Sequence, residues 1–500
     1  MEAREVVQEP ARQVPVVRTV DVVVAGAGIS GLFAALAAGR CGARTVLVER
    51  FGSLGGNIGA AGMWMAFPGD VHLPHPAPGR PVGVIEELAQ RVEDVLGDMP
   101  RTSSTVSLAI SRVALDMMAE NGVELMLSAW AAAPIMDGDR VCGLFVETKS
   151  GRVAVRARVV IDCTGDADIA ARAGVPTRWP IRVRECTDPY FWEFVKLEEY
   201  EGWNDGGFSF FVAEVDWPRF QEFLQTPVEL TPADLAWRNS TFLRHEGHMW
   251  EEGGKVHYRG KVAAVMYPLL RQAWESGEYR TVDNVRDLVH VYPCHWWHRD
   301  EGGGLVTSRV QVSGYFNMSD WKDVSLVEAA VRKCAFDMVR FYRRHVAGWE
   351  KAWMVAEPAF LGTRGGTCIE AEHTLTAEEA CRGYRALDVL FAVGPGNRGG
   401  GRTREGHDIP YGMILPKKVD GLLVAGRGAG YLRRGHDPDV RARGNMMRLG
   451  QAAGLIAALA ARADRSPRAV DIREIQRRLL AEGFFLGDEA RLRELGLVPV

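Results

Sequence analysis

Four glycine-centred segments, spread along a chain of 500 residues, carry the clearest capacity for chemistry. The first, Gly26-Ala27-Gly28-Ile29-Ser30-Gly31, follows the apolar run Val20–Ala25 and opens the Ala- and Leu-rich stretch Leu32–Gly39. A strand, a tight turn and a helix N-terminus in that order offer free peptide N–H groups and a helix dipole to an anion, so a diphosphate is the expected guest. In this reading Gly26 makes the turn, Gly28 lets the backbone approach phosphate, and Gly31 lets helix and strand pack closely. Thr45–Val48 reads as the next strand, and Glu49 at its end stands where a ribose hydroxyl needs an acceptor. An acid at that position disfavours a 2′-phosphate, although Arg50 is adjacent.

That fingerprint implies a dinucleotide and leaves open which one. Three further segments narrow it. Gly55, Gly56, Asn57 and Gly62 form a glycine-rich loop directly after the second strand, bringing more N–H donors toward a diphosphate and a flavin ring. Val159–Ile161 runs into Asp162-Cys163-Thr164-Gly165-Asp166, a sharp turn at a strand's C-terminal edge, where ligands of open α/β sheets bind. Asp166 and Asp168 are expected to cap the following helix, Ile169–Ala173, and to lie near the cofactor. Gly421–Arg427, containing Gly426, and Gly444–Gly454, containing Asn445, Met446 and Met447, read as a strand, a loop and a helix. A helix N-terminus there would stabilise the negative charge of a reduced flavin.

The elements that must position these segments alternate as strand and helix at both ends of the chain. Helices are predicted at Val84–Leu96 and Leu108–Glu120, the latter closed by Asn121-Gly122. Val123–Leu127 reads as a strand, and Arg140–Lys149 and Val153–Ile161 as a hairpin around Ser150-Gly151-Arg152. From about Thr177 to Gly304 the texture changes to tryptophans and scattered prolines without that alternation. Helices are expected again at Val324–Tyr342 and Thr376–Leu390, a buried strand at Leu422–Ala425 and a small-residue helix at Asn445–Ala461. The fold class that follows is α/β, a discontinuous Rossmann-like FAD-binding domain with an inserted α+β substrate domain. Its expected boundaries are a flexible arm at 1–19, nucleotide-binding parts at 20–175 and 401–462, the insert at 176–400, and a helical tail at 463–500.

The composition is that of an ordinary globular protein, with 25% charged residues and a formal net charge of −4, and gives no electrostatic reason to expect nucleic acid. Eight cysteines without a CxxC pair imply neither a zinc or other metal site nor a dithiol redox centre, and reduced, mostly buried thiols are expected. No stretch is long and apolar enough to read as a membrane span, and the cytoplasm is the default expectation. A homo-oligomer is left open.

Taken in order, the four segments resemble the FAD-dependent oxidoreductase family of the glutathione reductase fold, in particular a subgroup ending in an LLVAGR…GQAAG pattern. They are more remotely similar to the flavoprotein subunits of succinate dehydrogenase and fumarate reductase. The likeness is strong over Asp21–Phe67, Ile85–Gly174 and Leu361–Ala461 and poor over about 176–308. It implies that Gly26, Gly28, Ser30 and Gly31 cradle diphosphate, that Glu49 holds the adenosine ribose, and that backbone around Trp130 meets the adenine. It places Gly55, Gly56 and Asn57 toward the flavin, Thr164 and Gly165 along the cofactor, and Gly426, Arg427 and Asn445–Met447 over the ring. The Gly55–Asn57 segment lacks the histidine that tethers FAD in succinate dehydrogenase, so non-covalent FAD is expected.

The chain departs from the subgroup at two places. A "GvRetRr" run is replaced by Leu361-Gly-Thr-Arg364-Gly-Gly-Thr367, and the loop Gly428–Asp439 is one residue longer than usual. A substrate oxidised by flavin needs its C–H or C–N bond over the ring and often a base. His436, in that longer loop, ranks first as a catalytic group, followed by Arg364 and Tyr411. The tryptophan-rich insert reads either as the core of a small domain or as a stacking surface for a small-molecule substrate. The reading is an FAD-dependent oxidase or dehydrogenase. The alternatives are a flavin monooxygenase, with Asp166 as its "GD" aspartate, and a non-catalytic flavin-binding protein. The absence of a second GxGxxG and of CxxxxC argues against a pyridine-nucleotide disulfide reductase.

Overall fold

A computed structural model describes residues 7–59, 83–179, 181–183, 199–201, 203–240, 248–259, 263–278, 289–299, 304–363, 366–376, 379–380, 382–393, 406–431, 433–434 and 443–498. The nucleotide-binding part is built on β1 (Val16–Ala25), α1 (Ile29–Arg40), β2 (Thr45–Glu49), α2 (Val84–Leu96), α3 (Ser103–Glu120) and β3 (Val123–Leu127). It continues through β4 (Trp130–Asp137), β5 (Arg140–Thr148), β6 (Gly151–Asp162) and the short helix α4 (Asp168–Arg172). Strand β1 starts earlier than the apolar run suggests, because Val16–Ala25 pairs along its length with β6, so the N-terminal arm is shorter than 1–19.

Strands β3, β2, β1 and β6 lie side by side, all parallel. The far edge of the long strand β6 is shared. Its first half pairs antiparallel with the β4–β5 hairpin, and its last residues, Val160–Asp162, pair parallel with Leu422–Val424. The chain runs from β1 outward to β2 and β3 and returns on the opposite side of β1 to form β6. The crevice between the ends of β1 and β6 is therefore the topological switch point, where ligands of such sheets bind.

Period-two alternation in β1 sends Val22 and Val24 into the core on the α1 side and Val23 and Ala25 into the core on the other face. Helix α1 is buried over Ile29–Gly39, because it is covered on one side by the sheet and on the other by the long helix Arg443–Arg462. That helix reaches α1 through two glycines. A Cβ on Gly450 would lie 2.1 Å from the Ser30 carbonyl oxygen, and one on Gly454 would lie 2.1 Å from that of Ala34. The small-residue character seen in the sequence thus serves helix-on-helix contact first.

The insert has a core of its own. Its sheet runs Val289–Arg299, Leu305–Tyr315, Trp203–Ala213, with Trp353–Ala356 and Gly362–Thr363 sharing the last edge. The helix Trp321–His345 covers one face, packing Val327, Val331 and Met338 on Phe208, Phe210 and Val212. Trp217, Trp237 and Trp349 join that core, which favours the packing role for these three. Leu361 still belongs to this cluster, whereas Ile369, Val389 and Phe391 belong to the nucleotide-domain cores. The return to the first domain therefore comes well before residue 401.

The helix expected over Thr376–Leu390 is corrected. Thr376 and Glu379 do make the reciprocal bonds of a helix start. Gly383, at φ +75°, ends it, and Val389–Val393 is a strand paired antiparallel with His407–Pro410. Of the five cysteines whose side chains are described, all free, Cys163, Cys334 and Cys368 are buried and Cys41 is exposed. Among the described residues no helix is long and apolar enough to cross a membrane, and no acid, His or Cys cluster could hold a metal.

The helix pair yields the first test. In Gly454→Ala the new methyl has only backbone to displace, so α1 and the long helix must separate, an overpacking cost of roughly 1–3 kcal/mol. Thermal denaturation should show a clear drop in Tm; an unchanged Tm would remove this contact from the account of the fold.

Candidate functional site

The site is assembled from backbone before any side chain takes part. Gly26 leaves β1 at φ +92°, donates its N–H to the Val48 carbonyl at 2.8 Å, and comes so close to β6 that a Cβ would lie 2.8 Å from the Cys163 carbonyl oxygen. A Cβ on Gly31 would lie 1.8 Å from the Gly26 carbonyl oxygen, so Gly31 permits the turn itself as well as helix–strand packing. Gly28 differs from both, for a Cβ there would meet nothing within 4 Å. It stands at the N-cap of α1 and offers no side-chain cap to the first peptide groups of the helix.

Two other loops close around the same point. Gly55 donates its N–H to the Ala27 carbonyl at 2.9 Å, and a Cβ on Gly56 would lie 2.8 Å from the Gly28 Cα. A Cβ on Gly426 would lie 2.8 Å from the Ser30 hydroxyl. The side-chain oxygen of Asn57 is buried here without a hydrogen-bond partner, an acceptor left for a donor from outside the chain. The structure thus brings together Gly26, Gly28, Ser30, Gly31, Gly55, Gly56 and Gly426.

Glu49 and Arg50 diverge. Glu49 is buried, and its two carboxylate oxygens accept from the peptide groups of Ala27, at 2.6 Å, and Phe51, at 2.9 Å. Burial pushes its carboxyl above the usual range, while these peptide donors and Arg50 pull against that. Holding the first glycine turn to the end of β2 is therefore one of its tasks. Arg50 turns outward, its guanidinium over the rings of Phe51, Phe360 and half-exposed Trp130, with Phe51 stacked on Phe360 at 5.0 Å. Phe51 and Phe360 have no motif around them and are not legible from the sequence.

The turn after β6 corrects an expectation. Neither Asp166 nor Asp168 caps α4, whose N-cap is Ala167 with no side-chain bond. The fully buried Asp162 does so from the end of the strand, accepting from the peptide groups of Ile169 and Ala170, both at 2.9 Å. It also accepts from the peptide and hydroxyl of Thr164, at 3.0 and 2.7 Å. A cap usually sits beside its helix, but here the chain doubles back, so only the folded turn reveals it. Asp166 instead accepts from the Gly366 N–H, and its carbonyl accepts from the Thr367 hydroxyl at 2.7 Å. The Arg427 guanidinium lies over Gly165, 2.9 Å from where a Cβ would be, and donates to the Thr363 carbonyl.

At the start of the long helix Asn445, Met446 and Met447 are buried, and Asn445 accepts from the Arg448 guanidinium at 3.0 Å. Burial pushes the guanidinium groups of Arg443 and Arg448 down to about 10, so both stay charged at neutral pH and add to the positive helix end. Tyr411 is buried in the nucleotide-domain core, and its hydroxyl donates to the Pro467 carbonyl. Burial pushes this phenol up. His436, Arg364 and Gly62 lie outside the described residues.

Asp168 supplies a pH test. Burial first, and then the carboxylates of Asp166 and Asp162, push its carboxyl up from 3.8 to about 6. Between about pH 4 and pH 6 the folded chain therefore keeps a proton that the unfolded chain has lost, and stability falls as pH rises through that window. Asp168→Asn cancels the fall. The Tm of the variant relative to the parent should climb from pH 4 to pH 6 and then level off; a difference that stays flat across the range would refute the shift.

The sequence pattern described as "FAD dependent oxidoreductase" matches residues 21–479. No curated protein matches the chain. Among solved structures, a geranylgeranyl bacteriochlorophyll reductase-like protein from Thermoplasma acidophilum is 12% identical, over 96% of this chain and 86% of that one, with a TM-score of 0.41. An anhydrotetracycline hydroxylase from Streptomyces rimosus is 13% identical, over 93% and 66%, with a TM-score of 0.37. The flavin-dependent brominase Bmp2 is 13% identical, over 93% and 83%, with a TM-score of 0.38. By the match that spans nearly its whole length, this chain belongs to the FAD-dependent oxidoreductase family and is an enzyme whose cofactor is FAD.

Proposed function

We propose that this enzyme oxidises a small organic molecule, an oxidase or dehydrogenase rather than a monooxygenase, with FAD held non-covalently at the crevice between β1 and β6. The observation that carries the cofactor's placement is the position of Gly28, where a Cβ would meet nothing within 4 Å, while a Cβ on Gly56 would press on the Gly28 Cα and one on Gly426 on the Ser30 hydroxyl. Those residues fit FAD. The N–H groups opening α1 would receive the diphosphate, Glu49 has lone pairs for a ribose hydroxyl, and Asn57 offers its buried oxygen to a donor. Thr164 and Gly165 would line the cofactor, and Arg427 with the N-terminus at Asn445–Met447 would favour negative charge above it. When bound, FAD supplies a two-electron acceptor for a hydride from substrate. His436, Arg364 and Tyr411 are the candidate catalytic groups brought forward from the sequence.

Two substitutions separate cofactor binding from folding. Gly28→Val adds bulk only to open space, so circular dichroism and Tm should match the parent while FAD affinity falls about 10- to 100-fold. Gly26→Ala forces a side chain to φ +92° against the Cys163 carbonyl and should cost roughly 1–3 kcal/mol of stability. A Gly28→Val protein that retains its full yellow colour would displace the diphosphate site from α1.

The reaction class is read from the parent enzyme. Acid precipitation should release the flavin, and a substrate should bleach it anaerobically without NAD(P)H. A strict requirement for NAD(P)H and oxygen would replace this reading with a monooxygenase.

A further inference from the structure

Arg332 stands on the helix Trp321–His345 and lays its guanidinium on the buried Phe208 ring, 4.9 Å from the centroid. From there its fork turns to the stretch by which the chain leaves the insert. It donates to the Glu357 carboxylate at 3.1 Å and to the carbonyls of Pro358 and Ala359 at 3.1 and 3.2 Å. Glu328, one helical turn earlier and ion-paired with Arg332, accepts from the Leu361 N–H at 2.7 Å. Gly362 and Thr363 then pair with Gly207 and Gly206 at the sheet edge. Charge-assisted bonds to successive peptide groups give 357–361 one backbone path where a connecting loop would ordinarily sample many.

That path leads to the nucleotide domain. Phe360, between two residues held in this way, stacks on Phe51 with centroids 5.0 Å apart and planes 12° from parallel, and the Arg50 guanidinium lies 5.4 Å from its centroid. The Phe51 peptide in turn donates to Glu49, the carboxylate with lone pairs for the ribose. A few residues on, the Thr363 carbonyl accepts from Arg427, whose guanidinium lies over Gly165. Asp166, next to Gly165, accepts from the Gly366 N–H on its carboxylate and from the Thr367 hydroxyl on its carbonyl, the latter at 2.7 Å.

We propose, resting on the FAD placement given above, that Glu328 and Arg332 are positioning residues for the cofactor. They act through the 357–363 backbone, which seats Phe360 on the Arg50–Phe51 corner at the adenosine end and holds the Thr363 carbonyl where it orients Arg427 at the flavin end. Loss of the first contact loosens the adenosine. Loss of the second lets the guanidinium move away from where a reduced flavin gathers negative charge, which lowers the flavin's midpoint potential.

Variants of the holoenzyme, read by the rate of FAD release after dilution and by the flavin's midpoint potential, test it. Phe360→Ala should speed release about 3- to 10-fold and leave the potential at the parent value, because its contact lies at the adenosine end. Thr367→Val, which removes the hydroxyl bond to Asp166, should lower the potential while changing release less than Phe360→Ala does. Arg332→Met should do both, with release faster by about tenfold or more. Glu328→Gln keeps an oxygen to accept from Leu361 and should stay closer to the parent in both readouts than Glu328→Ala. A merely structural role makes release follow Tm through the whole series and leaves the potential still; that pattern, or parental values of both readouts in Arg332→Met, would overturn the proposal. Should Arg332→Met not fold, the split between Phe360→Ala and Thr367→Val decides alone. If Gly28→Val keeps its full FAD affinity, the cofactor's placement itself has failed; if Gly28→Val loses FAD while Arg332→Met matches the parent, only the positioning role has.

Discussion

The peptide of Gly26 meets the Cys163 carbonyl at the ends of two parallel strands, closer than a side chain at Gly26 would allow. Every cofactor-directed segment takes its position from that contact. With β1 and β6 in register to their last residues, α1 must begin over the crevice between them, and its first peptide groups point into it. The loop at Gly55–Gly56, the turn at Gly426 and the long helix at Gly450 then reach the same helix end through glycines of their own. Four stretches of chain far apart in sequence thus converge where α1 begins, and the space left is shaped by backbone. Such a cradle is stiff, because none of its walls can change rotamer.

Charge is distributed around this backbone in two tiers. The buried acids are turned inward: Asp162 holds the turn after β6 together through four donors, and Glu49 fastens the first glycine turn to β2. Each costs desolvation, which raises its carboxyl, and each is offset by peptide N–H groups. The arginines Arg427, Arg443 and Arg448 stand at the glycine turn and the N-terminus of the long helix, where the backbone dipole is already positive. Acids that organise loops and cations that line a mouth are consistent with an anionic guest.

The insert contributes through its edge. Gly362 and Thr363 pair with Gly207 and Gly206 at the edge of the insert's sheet, and the Thr363 carbonyl accepts from Arg427. A few residues on, Gly366 and Thr367 bond Asp166. The two domains are therefore coupled through hydrogen bonds between side chains and backbone at the turn that carries Thr164 and Gly165. Phe360, seated against Phe51 and Arg50, adds an apolar contact beside the same segment.

Local order was legible in the sequence wherever periodicity and turn residues agreed: Val84–Leu96 and Val123–Leu127 stand where the pattern puts them. Thr376–Leu390 misled because a true helix start at Thr376 is cut by Gly383. The sequence by itself determined the strand–turn–helix units, the glycines that must be glycine, and hence the family and its cofactor, since those depend on short spacings and on the absence of a Cβ. Only the tertiary structure decided that Asp162, not its neighbours, caps α4, and that the Tyr411 hydroxyl donates to the Pro467 carbonyl. Those facts arise where strands and helices distant along the chain are pressed together, and nearest-neighbour spacing carries no information about such meetings.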